Sequence, residues 1–198
     1  MMKLLVATQN TGKKQEYREL LDDLEARIVF PDDLGLRLDV LEDGTSYAQN
    51  ARKKAEAHRE ASGLLTLADD SGLEVDALSG APGLHSARYA DGSDADRIEA
   101  LLEALTDVPR ERRTARFRCV LVTVTCSGRV LESEGVCEGR ITFQPRGRGG
   151  FGYDPIFYLP ERDRTMAQLP RETKNRISHR ARAVQGALPI LAELVEDR

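Results

Sequence analysis

The sequence lacks any apolar run near the roughly 18 residues that a membrane-crossing helix needs, so no transmembrane span is expected. Its first ten residues, MMKLLVATQN, hold too short an apolar run for a signal peptide, and polar residues follow at once. Cysteine is scarce. Cys119, Cys126 and Cys137 have no metal-ligand spacing and cannot all pair, which argues against a disulfide framework and for a reduced, cytoplasmic protein. A surplus of basic charge is missing too. The net charge is −4, which disfavours a surface that coats nucleic acid but leaves room for a local anion pocket. Repeats and low-complexity segments are absent.

The 198 residues suggest one domain, or two lobes sharing a core. Apolar residues make up 40% and charged residues 31%, the balance of a globular chain. Residues 3–8 (KLLVAT) read as a buried strand, and residues 12–24 as a helix with Tyr17, Leu20, Leu21 and Leu24 on one face. A strand at 26–30 stops at Pro31. Thr45 or Ser46 can cap a helix running to about Ser62, with Gly63 just beyond it. Residues 64–68 and 73–77 read as two strands separated by a turn at Ser71-Gly72. Ser93 can cap a helix over 94–105. RFRCVLVTVT (116–125) is the most β-like segment, and Ser127-Gly128 turns it into a partner at 130–138. A glycine-rich loop at 146–152 precedes a strand at 155–159. The tail from Pro170 is mostly helical, with Gly186 and Pro189 expected to kink or split it. Helices and strands alternate early and a hairpin comes late, so the expected class is α/β with a mixed sheet.

Three segments carry chemistry. In ATQNTGKKQEY (7–17) a strand ends in a small polar loop and a helix begins near Gly12, a place suited to phosphate. Thr8, Asn10 and Thr11 add side-chain donors and Lys13 a charge. The glycine spacing is not that of a Walker loop. A capped helix with a solvated lysine pair accounts for the same residues.

The second segment is Glu42 with Asp69 and Asp70. Magnesium takes one or two carboxylates plus phosphate and water, and Lys53 and Lys54 follow on the next helix. Alternation along a strand prevents Asp69 and Asp70 from facing one side together. Periodicity does not say which of them faces a ligand, and ordinary turn chemistry explains the pair equally well.

The third is GRGGFGYDPIF (147–157) with TKNRISHRARA (173–183). Phe151 and Tyr153 could stack on a purine or pack under the loop. His179 and Arg180 could donate to a carbonyl edge or form a solvated helix face. On one regular helix Lys174, His179 and Arg180 point in different directions, so either the helix breaks or they contact different things.

Together, ATQNTGK (7–13), SYAQNARKKA (46–55), ADDSGLEVDALSGAPGLHSARYA (68–90), GGFGYDPIF (149–157) and KNRISHRARA (174–183) resemble the inosine triphosphate pyrophosphatase family. They stand in the family's order across nearly the whole chain. The resemblance implies an elongated mixed sheet flanked by helices, two lobes with a nucleotide cleft between them, and a homodimer. It implies hydrolysis of ITP, dITP, XTP and dXTP to the monophosphate and pyrophosphate, with magnesium. Carried over by position, Thr8, Gln9, Asn10, Thr11, Gly12 and Lys13 would hold phosphates, and Lys54 would add charge. Glu42 and Asp70 would bind magnesium, with Asp70 the base for the attacking water, and Asp69 and Ser71 would bind substrate. Phe151, Gly152, Tyr153 and Asp154 would enclose the base, and Lys174, His179 and Arg180 would complete its recognition. Ala181, Gln168 and the uncapped Leu169-Pro170 depart from the family pattern, and Tyr153 stands in place of a tryptophan found in some members. A Maf-like pyrophosphatase lacks a match to the 8–13 loop. A non-catalytic nucleotide binder would have no need of the acidic pair, and an RNA surface on Arg110, Arg112, Arg113, Arg116 and Arg118 sits poorly with an acidic chain.

Overall fold

The computed structural model describes residues 1–196. Strand β1 (Met2–Val6) leads into helix α1 (Thr11–Leu20), then β2 (Ala26–Val29), α2 (Tyr47–Ser62), β3 (Leu65–Val75) and α3 (Asp94–Ala104). Strands β4 (Thr114–Val124), β5 (Val130–Ile141), β6 (Phe157–Leu159) and β7 (Arg164–Thr165) follow, and α4 (Arg171–Ile177) and α5 (His179–Glu196) close the chain. The sheet order is β2-β1-β3-β4-β5-β6-β7. Strand β1 runs parallel to β2 and β3, while β6 runs antiparallel to β5 and β7, so the sheet is mixed as expected. No helix among the described residues is long and apolar enough to cross a membrane.

The helix ends follow local chemistry. Ser46 Oγ accepts from the Gln49 amide and starts α2, and Gly63 ends it at φ +69°, a left-handed conformation that costs glycine little. Ser93 and Asp96 form a capping box at the start of α3.

Two local expectations failed. Helix α5 runs through Gly186 and Pro189 without splitting. Ser71 and Gly72 make no turn, because β3 runs unbroken through them for eleven residues. A strand with both faces covered must satisfy its backbone in a ladder, and that demand overrides the turn tendency of Asp-Ser-Gly. The Leu73 amide donates to Ser86 Oγ at 2.8 Å.

The chain divides into two compact units. The first comprises residues 1–70, 119–135 and 180–198, and its core joins Leu4, Val6, Tyr17, Leu67, Leu121 and Val184. The second comprises residues 71–118 and 136–179, with a core of Leu73, Leu101, Phe117, Ile156, Phe157 and Met166.

In the second unit, Arg113 is 2% exposed and is held by backbone carbonyls. Its guanidinium donates to the carbonyls of Val108 (2.9 Å), Thr142 (3.1 Å) and Leu105 (2.5 Å), and it lies 4.0 Å from the centroid of the Phe143 ring. A cation at the end of α3 faces the negative pole of that helix. It ties α3 to the residue after β5. Replacing Arg113 by Met should strip three carbonyls of their donor at about 1 kcal/mol each. A melting curve should fall by about 10 °C, and an unchanged curve would show that the carbonyls find other partners.

Candidate active site

Helix α1 starts where the sequence puts it. Asn10 Oδ1 accepts from the Lys13 amide at 3.0 Å and caps the helix. The Asn10 amide donates to Thr8 Oγ1 at 3.2 Å. These bonds curl residues 8–12 into a short polar loop, with Gln9 and Thr11 exposed. The Lys13 ammonium projects from the first turn and donates to Asp69 Oδ2 at 2.8 Å.

Strand alternation separates the two acidic residues. Asp69 is 2% exposed and faces Lys13, Arg180 and Cys119. Asp70, 7% exposed, accepts from Asn50 Nδ2 at 3.0 Å and lies 3.9 Å from Lys54 Nζ. The same Lys54 ammonium is 3.2 Å from Glu42 Oε1. A cation thus bridges the two carboxylates that the sequence offered as a metal pair. Asn50 also accepts the Gly44 amide at 2.8 Å, which fastens the loop carrying Glu42 to the strand carrying Asp70. A Cβ at Gly44 would meet Asn50 Oδ1 at 2.6 Å, so only glycine allows this approach. Asn50 was missed as a site residue. The available signal was its place four residues before Lys54, on the same face of α2.

The two carboxyls differ in protonation. Burial pushes Asp69 upward, but Lys13, Arg180 and Lys54 outweigh it and hold the group well below the usual carboxylate range. For Asp70 burial dominates, and Lys54 and Asn50 only moderate it, so its affinity for a proton is raised.

Arg180, expected from the resemblance to help recognise the base, sits among buried charges. It is 1% exposed, bonds Asp69 Oδ2 at 3.3 Å and pairs with Glu16. Two cations, Lys13 and Arg180, and two anions, Asp69 and Glu16, therefore close a neutral buried group. Glu16 was not singled out from sequence, although it lies one helical turn from Lys13.

The second unit holds the other sequence candidates. The chain breaks between α4 and α5 at Ser178, whose extended backbone ends α4. The broken helix resolves the expected conflict of directions. Lys174 is buried against Asp154 and lies 4.8 Å from the Phe151 ring centroid. His179 stacks on Phe117 at 4.7 Å between centroids. The Phe151 amide donates to Asp154 Oδ2 at 3.0 Å. Tyr153 does not offer an open aromatic face. It is 5% exposed in the core, and its hydroxyl donates to the Ser86 carbonyl at 2.9 Å. Ser71 is half-buried.

The sequence model of the Ham1 family matches residues 4–190. The chain belongs to the Ham1 family. A dITP/XTP pyrophosphatase of Desulforamulus reducens is 49% identical over 195 residues, covering 98% of this chain and 97% of that protein. One of the same name from Shigella flexneri is 46% identical, covering 96% and 98%. A HAM1 protein structure from Coxiella burnetii superposes with a TM-score of 0.88 at 42% identity, over 98% of this chain and all of that one. Among the described residues no three His, Cys, Asp or Glu side chains form a cage for a metal ion. A Ham1-family site built on Glu42 and Asp70 would leave the remaining positions to phosphate and water.

The two aspartates should respond oppositely to substitution. Asp69→Asn leaves Lys13 and Arg180 without their shared anion and should cost about 3 kcal/mol or more. Because the Asp69 pKa is depressed on folding, its stabilisation is present above the unfolded value near 3.9. It is lost as pH falls through the folded value, so the deficit of the variant should shrink below about pH 4. Without divalent metal, Asp70→Asn should raise the melting temperature at pH 7, and the gain should fade on acidification as native Asp70 takes up its proton. Unfolding curves across pH check both signs.

Proposed function

We infer that this protein hydrolyses non-standard purine nucleoside triphosphates, dITP and XTP among them, to the nucleoside monophosphate and pyrophosphate. The observation that carries the reading is one strand holding Asp69 against Lys13 and Asp70 against Asn50, Lys54 and Glu42. Identity of 46–49% to dITP/XTP pyrophosphatases over nearly the full length supports the substrate class.

Glu42 and Asp70 would hold a magnesium ion. The donor chemistry fits, since two carboxylates already converge on one cationic centre, the Lys54 ammonium. When bound, the ion supplies positive charge against the phosphate oxygens. Asp70 then serves as the base. Water oxygen bonds to the α-phosphorus, the bond from that phosphorus to the bridging oxygen breaks, and the water proton passes to Asp70. Lys13, Lys54 and the amides at the start of α1 stabilise charge growing on pyrophosphate. Thr8, Gln9, Asn10, Thr11 and Gly12 hold the rest of the triphosphate. Asp69 contributes by fixing Lys13.

The base is assigned to Phe151, Gly152, Asp154, Lys174 and His179. Donors from Lys174 and His179 match a 6-carbonyl and oppose the 6-amino group of adenine, and a buried polar site rejects such a mismatch strongly. Tyr153 supports that loop from below, and Ser71 contacts substrate. The protein acts as a homodimer in the cytoplasm.

With magnesium, dITP or XTP should give monophosphate and pyrophosphate, with ATP turned over at least about a hundredfold more slowly. Asp70→Asn should abolish turnover while the protein stays folded. Release of orthophosphate and a diphosphate would overturn the reaction class, and near-normal activity of Asp70→Asn would remove Asp70 from it.

A further inference from the structure

The loop that carries Phe151 is held by a residue outside every segment assigned to substrate. Asp94 is the first residue of α3, just after the Ser93 cap. Its Oδ2 accepts from the Gly152 amide at 2.6 Å, across 58 residues of sequence. Its Oδ1 pairs with Arg97 NH2 at 2.5 Å, and Arg97 NH1 donates to the Gly92 carbonyl at 3.0 Å. The carboxylate is thus held from behind while one oxygen serves the loop.

The neighbouring amide is held in the same way. Phe151 N–H donates to Asp154 Oδ2, the oxygen that also receives Lys174. Two successive amides therefore point at two separate carboxylates. Such a pair needs an unusual backbone, and Gly150 and Gly152 supply it at φ +72° and +59°. At Gly150 a Cβ would meet Asp154 Oδ2 at 2.0 Å, so the tight approach excludes any larger residue there. Glycines alone would leave the loop with many conformations. The carboxylates select one.

We propose that Asp94 is a positioning residue for purine recognition, fixing through the Gly152 amide the turn that presents Phe151 and the Asp154–Lys174 pair. The proposal rests on the nucleotide pyrophosphatase reading above. Asp94 touches no reacting group, so its loss should weaken substrate binding and leave the chemical step intact. The Asp94 side chain is half exposed, so substitutions there should fold.

The test compares the unmutated protein with Asp94→Ala, Asp94→Asn and Arg97→Gln. Asp94→Ala should raise KM for dITP about tenfold, the loss expected for one hydrogen bond to a charged acceptor. Its kcat should stay within about twofold, the pattern of lost ground-state binding. Asp94→Asn keeps an oxygen for the Gly152 amide and should recover most of that loss. Arg97→Gln keeps the acceptor but loosens it from behind, so its KM should rise by less than that of Asp94→Ala. Hydrogen exchange at the Gly152 amide should quicken in Asp94→Ala alone, independently of substrate. Faster exchange with unchanged KM would overturn the recognition role, as would a fall in kcat with KM unchanged. Failure of the unmutated protein to release pyrophosphate from dITP or XTP would refute the underlying reading instead.

Discussion

A buried aspartate shared by two cations organises the first unit. Asp69 stands at mid-strand with almost no contact with water, and removing a carboxylate from water is costly. Lys13 and Arg180 offset that cost because both reach the same oxygen. Glu16 balances the second cation, so the group is neutral as a whole. It also joins three distant parts of the chain: the first helix, the third strand and the start of the last helix. Once Asp69 is fixed on that face, the pleat of β3 leaves the next side chain no choice of direction. Asp70 must face Asn50, Lys54 and Glu42.

Adjacent residues of one chemical type thereby acquire different work. Opposing cations keep Asp69 ionised, so it is a poor proton acceptor but a firm anchor for Lys13. Asp70 meets weaker compensation, and burial raises its affinity for protons. The fold sustains that raised affinity at some cost to its own stability. Separating the two environments lets one carboxyl stay ionised as the anchor of Lys13 while its neighbour holds its proton more tightly.

Local rules read much of the fold from sequence. Ser46 and Gly63 bracketed α2, Ser93 started α3, and the alternating β-branched run at 116–125 located β4, because each depends on neighbours within a few residues. Less was legible where distant partners decide. Ser71-Gly72 resembled a turn until a central strand claimed its backbone. Arg180 resembled a donor for a purine edge, but its partner Glu16 lies 164 positions away, beyond any periodicity. Tyr153 could stack on a purine or pack under the loop, and the Ser86 carbonyl, 67 positions off, accepts from its hydroxyl in the core. Asn50 carried no obvious chemistry in sequence and gains its importance only by lying beside Asp70. The motif order suggested the family, while the identities of charge partners required three dimensions.

One departure from the family pattern has a physical answer. Gln168 stands where an acidic residue is common, yet its Oε1 accepts from the Thr165 amide at 3.0 Å. An amide oxygen fills there the acceptor role that a carboxylate could also fill. The Gly149 amide donates to the Ala167 carbonyl at 3.0 Å, just before Gln168, so this short turn backs the glycine-rich loop. Asp154 continues the same arrangement, accepting the Phe151 amide with its side chain while its own carbonyl accepts from Ala167 N at 3.2 Å. A loop rich in glycine is thus ordered from outside by acceptors on rigid neighbours. Flexibility in the sequence is what permits the close approach, and the surrounding hydrogen bonds remove it again in the folded chain.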